Sequence, residues 1–257
     1  MSHDFRSVTE LAGEPVSTAQ IDRLAQRYYW AGEFCRDKDV LEVACGVGQG
    51  LGYLASVSRS IRAGDITPTL VDQACSHYGS RIRITEMNAE QLPFEPESLD
   101  VVIFFEAIYY LHSAERFVEE CQRVLRPGGI LLVATANCDL FDFNPSPFSK
   151  HYYNPPELNH MLSSYGFDTQ FFGGSPVNSP DVMTLFIRFV KKMAVTLNLI
   201  PGSMRGKRWL KRLVFGKLIP MPREFQAGDI QYHPPTSIDG ARPDTVHQVL
   251  YCVARLR

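Results

Sequence analysis

Short apolar runs alternate along this chain with amphipathic stretches of helical period, and glycine- and proline-rich breaks separate them. Val40, Leu41 and Val43 form one run and Ile61 to Asp65 a second. Asp100 to Phe105 is almost continuously apolar, as a strand covered on both faces is. Ile130 to Ala136, Phe167 to Phe172 and His247 to Leu256 complete the series; in the last, Val249, Tyr251 and Val253 alternate with Leu250, Cys252 and Ala254. Gln20 to Phe34 places Leu24, Tyr28, Ala31 and Phe34 on roughly one helical face. Further helices are expected after Gly50, from Thr67 to Tyr78 behind a Thr-Pro start, from Ser113 as N-cap through Val124, and from Pro155 to Ser164. Strands alternating with helices predict an α/β fold with a mostly parallel sheet.

The first strand carries Glu42 and runs into Ala44 to Gly50, where Gly46, Gly48 and Gly50 remove Cβ atoms from a sharp turn into a helix. Asp65 follows at the end of the next strand, about twenty positions on, the spacing at which a carboxylate takes both hydroxyls of an adenosine ribose. A nucleoside cofactor is therefore expected. The dinucleotide fingerprint Gly-x-Gly-x-x-Gly is not completed, because its last position falls on Leu51 or Tyr53, so a dehydrogenase is excluded.

Residues 40 to 50 resemble motif I of the class I S-adenosylmethionine-dependent methyltransferases, in the branch related to ubiquinone and menaquinone methyltransferases. Gly64 to Ala74, Asn88 to Phe94, and Arg123 to Gly129 ahead of the strand Ile130 to Ala136 are similar to that family's later motifs, in the family's order. The resemblance spans residues 28 to 136. It implies a Rossmann-like, seven-stranded sheet with an antiparallel last strand, and S-adenosyl-L-methionine as cofactor. By the same resemblance Asp65 meets the ribose, Ile66 lies beside the adenine, and Glu42 orders the turn and the cofactor's amino-acid end. Tyr28, paired with Arg27 on the leading helix, closes over the cofactor, with Ala44, Gly46, Gly48, Ala89 and Phe105 around it. Two positions depart from the pattern. Ala44 stands for a glycine, which a negative φ accommodates, and Asn88 stands for an aspartate, whose carbonyl can still accept a hydrogen bond from the adenine amino group.

Methyl transfer from a sulfonium is an in-line displacement that consumes positive charge, so the protein supplies alignment, a dry pocket and, for a hydroxyl acceptor, a base. Glu106, directly after the apolar strand, is the first candidate to accept a hydroxyl proton or to orient the hydroxyl. It could equally bind the cofactor's ammonium or cap a helix. His112 is the second candidate. Tyr109 and Tyr110 stand between them, and His151 and Tyr152 follow the fifth strand among Phe141, Phe143 and Phe148, where the family often builds its acceptor pocket. Such aromatics suit an apolar or sugar-like acceptor. Metal-ligand spacing and a Ser/His/Asp set are both lacking. Asn154-Pro155-Pro156-Glu157 is similar to the Asn-Pro-Pro-aromatic motif of nucleic-acid methyltransferases, but it ends in glutamate and follows the wrong strand, so no nucleic-acid partner is expected.

A length of 257 residues with 45% hydrophobic and 21% charged content is that of an ordinary soluble chain, read as one methyltransferase domain over 1–257. Six cysteines without a Cys-x-x-Cys pair point to free thiols and a reducing compartment. With no signal core and no bilayer-length apolar run, a cytoplasmic location is expected. The net charge of −2 hides an asymmetry: residues 182 to 223 hold ten lysines and arginines and no acid. This basic run lies in an insertion, residues 174–244, where the family has a short hairpin, and it reads as a mainly helical cap with an extended return. The expected activity is methyl transfer to a small-molecule acceptor, at a hydroxyl of a sugar-, nucleotide- or lipid-linked metabolite, by a monomer or homodimer. The alternatives are a quinone or lipid methyltransferase held on an anionic membrane by residues 182 to 223, and a non-catalytic, cofactor-binding partner protein.

Overall fold

The computed structural model describes residues 5–177 and 218–257. Among these residues ten strands form, in chain order β1 (Pro15–Ser17), β2 (Asp39–Val43), β3 (Ser60–Asp65), β4 (Arg83–Glu86), β5 (Leu99–Phe105), β6 (Leu125–Ala136), β7 (Phe167–Pro176), β8 (Leu218–Pro220), β9 (Thr236–Ile238) and β10 (His247–Leu256). The α-helices among the described residues are α1 (Thr18–Cys35), α2 (Leu51–Val57), α3 (Pro68–Tyr78), α4 (Ala114–Val124) and α5 (Pro155–Ser164). Eight strands make one sheet in the order β4-β3-β2-β5-β6-β10-β7-β9, while β1 and β8 pair separately. Strands β2 to β6 run parallel, and β10 lies antiparallel between β6 and β7. This is the Rossmann-like sheet with its reversed last strand, extended by β9 on the edge of β7. Strand β9 has three residues next to Pro234 and Pro235, too short to leave an alternating signature.

Central strand β5 explains the layering. Val102 and Phe104 face a core built with α4 and α5, whereas Val101, Ile103 and Phe105 face one built with α1. Both faces are covered, hence the unbroken apolar run. Capping boxes start α1 (Ser17 with Gln20) and α5 (Asn154 with Glu157), so the Asn-Pro-Pro-Glu segment serves as a helix start. Helix α4 stops at Val124, but Pro127-Gly128-Gly129 lies within β6, where a register shift against β5 absorbs it. The cysteines are free thiols, with Cys35, Cys45, Cys121 and Cys252 buried. No described helix is long and apolar enough to cross a membrane.

The helical part of the expected cap and most of the basic run fall at 178–217, outside the described residues. Beyond β8, the chain crosses α1 and α3 as a strap. Phe225 is buried beside Tyr28, and its N–H donates to Gln49 O at 2.7 Å. Glu224 pairs with His77 in the last turn of α3 and accepts from Arg81 just beyond it, and the Tyr29 hydroxyl donates to Gln226 O at 2.6 Å. The strap therefore grips the glycine turn from behind.

Candidate functional site

A cavity of about 530 Å³ opens where β2, β3, β5 and β6 end, the edge at which open α/β sheets bind ligands. The segment Phe5 to Glu10 forms part of its wall, pinned where Gln49 Nε2 donates to Glu10 O at 2.6 Å.

One end is built by the glycine turn. Gly46 and Gly48 have φ of +58° and +81°, which glycine adopts freely. Ala44 also has a positive φ, +58°, so the negative φ expected from its side chain is not met and the residue sits in the left-handed region. A Cβ on Gly50 would fall 2.0 Å from the Tyr28 ring, so the tyrosine can lie over the turn only because this position is bare. Tyr28 donates to Glu42 Oε1 at 2.8 Å, while Glu42 Oε2 is buried without a partner. Burial pushes the Glu42 carboxyl up to about 8. Asp65 accepts the backbone N–H of Gly46 at 3.0 Å and of Thr67 at 2.9 Å, and burial raises its pKa as well. Ile66 is 39% exposed at the cavity edge. Asn88 Oδ1 accepts from Glu90 N at 2.9 Å and keeps a second lone pair, while its Nδ2 remains a donor.

At the other end Glu106 follows β5 with φ +51°. Arg27 lies 3.4 Å from its Oε1, and Tyr109 donates to its Oε2 at 3.0 Å. Tyr109 stacks on Tyr152 with ring centroids 4.2 Å apart. Tyr110 bonds Ser146 through its hydroxyl, and its ring meets Phe5. His112 lies exposed at the rim, its N–H on Glu90 Oε1.

Of the residues singled out from sequence, the cavity wall gathers Tyr28, Glu42, Ala44, Gly46, Asp65, Ile66, Asn88, Ala89, Phe105, Glu106, Tyr109, Tyr110 and His112. Three fall outside it. Gly48 lies under the turn, where its carbonyl accepts from the Tyr78 hydroxyl, and Tyr152 supports Tyr109 from behind. His151 is exposed and faces Glu157 at 3.5 Å. Sequence reading missed Arg23, Thr9, Glu10, Gln49 and Gln248 in the wall. Only Arg23 left a signal, standing one helical turn before Arg27.

Residues 41–133 match the family model described as "Methyltransferase domain". A probable S-adenosylmethionine-dependent methyltransferase of Mycolicibacterium smegmatis is 35% identical over 164 residues, 58% of this chain and 63% of that protein. Residues 41–133 are thus similar to a methyltransferase domain, and over that part of the chain the relatives are described as S-adenosylmethionine-dependent methyltransferases. A probable methyltransferase of the same description from Mycobacterium tuberculosis is 39% identical over 52% of this chain and 50% of its own length. A ubiquinone biosynthesis O-methyltransferase of a Chelativorans species is 27% identical over 51% and 59%. The matches thus span between half and just under two thirds of these curated relatives. In fold, the chain is similar to the YcgJ protein of Bacillus subtilis (TM-score 0.58, 17% identity, 93% of this chain and 99% of that one). It is equally similar to a possible histamine N-methyltransferase of Thermotoga maritima (TM-score 0.58, 13% identity, 93% and 92%). The cavity fits S-adenosylmethionine: the unpartnered Glu42 Oε2 suits an ammonium, Asp65 keeps lone pairs for ribose hydroxyls, and Ile66 offers an open apolar face to a base.

Proposed function

We propose that the chain transfers a methyl group from S-adenosylmethionine to a hydroxyl of a small-molecule acceptor, a sugar-, nucleotide- or lipid-linked metabolite. The observation that carries this reading is one continuous cavity with a nucleoside cradle at Asp65 and Ile66 and a polar, aromatic wall at Glu106 and Tyr109. When bound, the cofactor supplies an electrophilic methyl group. Glu42 would hold its ammonium, and the Gly46 turn would lie against its backbone. Tyr28 and Phe105 exclude water from beneath, their rings 5.8 Å apart.

Both oxygens of Glu106 have protein partners, and taking a proton would leave the Arg27 guanidinium facing a neutral acid. Glu106 is therefore assigned to orienting the acceptor hydroxyl, with His112 at the rim available to receive the proton. The name of the Chelativorans relative, an O-methyltransferase of ubiquinone biosynthesis, supports oxygen as the methylated atom and keeps a quinone or lipid acceptor in view.

The test is transfer of a labelled methyl group to extracts and to a panel of hydroxylated lipids, quinones and sugar phosphates, read by mass spectrometry. Glu106→Gln is expected to lower turnover while sparing affinity for S-adenosylhomocysteine. Undiminished turnover removes Glu106 from the mechanism, and no labelled product from any class favours the non-catalytic reading.

A further inference from the structure

Two arginines stand in the cavity wall, which also holds Glu10, Glu42, Asp65, Glu90 and Glu106. Arg23 and Arg27 stand one turn apart on α1 and both line the cavity. Arg27 has one carboxylate partner, Glu106 at 3.4 Å, and its Nε is buried without a hydrogen bond. Arg23 makes no ion pair among the described residues; its Nη1 donates to the amide oxygen of Gln248 at 3.2 Å. Burial and the neighbouring Arg27 hold the Arg23 guanidinium below its ordinary pKa, although Glu10, Glu106 and Asp22 pull the other way. Two guanidiniums thus share one close carboxylate in a partly desolvated wall, an arrangement that an additional anion would stabilise.

The sheet order locates that anion. Asp65 ends β3 and Glu42 lies on the neighbouring β2, whereas Gln248 is the second residue of β10, three strands beyond β2 through β5 and β6. At about 4.8 Å per strand, Gln248 lies on the order of 14 Å across the sheet from β2. A cofactor with its ribose on Asp65 and its ammonium on Glu42 ends near β2, so the Arg23 side of the wall lies toward the acceptor. Guanidinium forks also match the paired oxygens of a carboxylate or phosphate, which a lysine ammonium would meet only as a point charge.

Resting on the methyltransferase reading above, we propose that Arg23 and Arg27 form an oxyanion subsite that recognises a carboxylate or phosphate group on the methyl acceptor. Gln248 orients Arg23 from the start of β10, and Glu106 orients Arg27 from the end of β5. The acceptor is then a hydroxylated anion, seated with its charged group on the arginines and its hydroxyl toward Glu106 and Tyr109.

The experiment titrates inorganic pyrophosphate, and separately 4-hydroxybenzoate, into the full chain saturated with S-adenosylhomocysteine, with calorimetric readout. Saturable binding of at least one probe is expected, weakened tenfold or more in Arg23→Gln, while S-adenosylhomocysteine affinity changes by less than twofold. That unchanged affinity also reports a folded variant. Probe binding undiminished in Arg23→Gln, as it would be on the basic run 182 to 223, overturns the subsite, as does failure of both probes to bind the saturated protein. A loss confined to S-adenosylhomocysteine affinity overturns it too, assigning the arginines to the cofactor's own carboxylate. Failure of the unmodified chain to bind S-adenosylhomocysteine is a different result and removes the methyltransferase reading itself.

Discussion

Tyr28 donates its hydroxyl to Glu42 across 2.8 Å, and the second oxygen of that carboxylate is buried with no partner. In the free protein, burial keeps Glu42 protonated up to about pH 8, whereas the unfolded chain releases that proton at an ordinary carboxylate value. Between those two values the folded state binds the extra proton. Stability is therefore expected to fall as pH rises through this window, by up to about 1.4 kcal/mol per pH unit from this group.

An ammonium beside Glu42 reverses the preference. Binding of S-adenosylhomocysteine near pH 7 should release a proton, so its calorimetric enthalpy should differ between phosphate and Tris buffers, and Glu42→Gln should abolish the difference. An enthalpy independent of buffer in the unmodified protein would separate Glu42 from the cofactor.

Ala44 holds φ +58° at a position where a side chain is strained. Left-handed backbone costs an L-residue about 1–2 kcal/mol, partly offset because glycine loses more entropy on folding. Ala44→Gly should therefore stabilise the fold by about 1 kcal/mol at most, read as a raised denaturation midpoint, without weakening cofactor binding. A lowered midpoint would show that the Ala44 methyl contributes contacts that outweigh the strain.

Phe225 is fully buried against Tyr28 and ties the strap to Gln49 through its N–H. Phe225→Ala should cost about 3–5 kcal/mol of stability and, by releasing the ring that backs Tyr28, weaken S-adenosylhomocysteine binding at temperatures where the variant remains folded. Thermal melting with and without ligand checks both. Full affinity in a destabilised variant would make the strap a structural tie only.

The end of the cavity built by the glycine turn was legible because its signals are local: an apolar run ending in a carboxylate, a glycine turn, and Asp65 at a fixed distance. Those features depend on neighbours in sequence, and Tyr28, Glu42, Gly46 and Asp65 converge in the structure. The rest depends on contacts between distant segments. Gln49 meets Glu10 and Phe225, and Arg23 meets Gln248 across 225 positions, with no periodicity to announce either. The sign of φ at Ala44 was not readable, because the turn imposes the left-handed conformation on whatever residue stands there. His151 and Tyr152 were adjacent in sequence to other aromatics, yet one points away to Glu157 and the other stands behind Tyr109.

Asp65 joins the two halves of the cradle, since its carboxylate holds the Gly46 turn and the start of α3 while keeping lone pairs for a ribose. Calorimetry of S-adenosylhomocysteine with the unmodified chain and with Asp65→Ala measures this role directly. One-to-one binding to the unmodified chain, weakened by about 1–3 kcal/mol in the variant, is the expected result. Equal affinity in the two proteins, or no binding to either, would contradict the assignment of this cavity to an adenosyl cofactor.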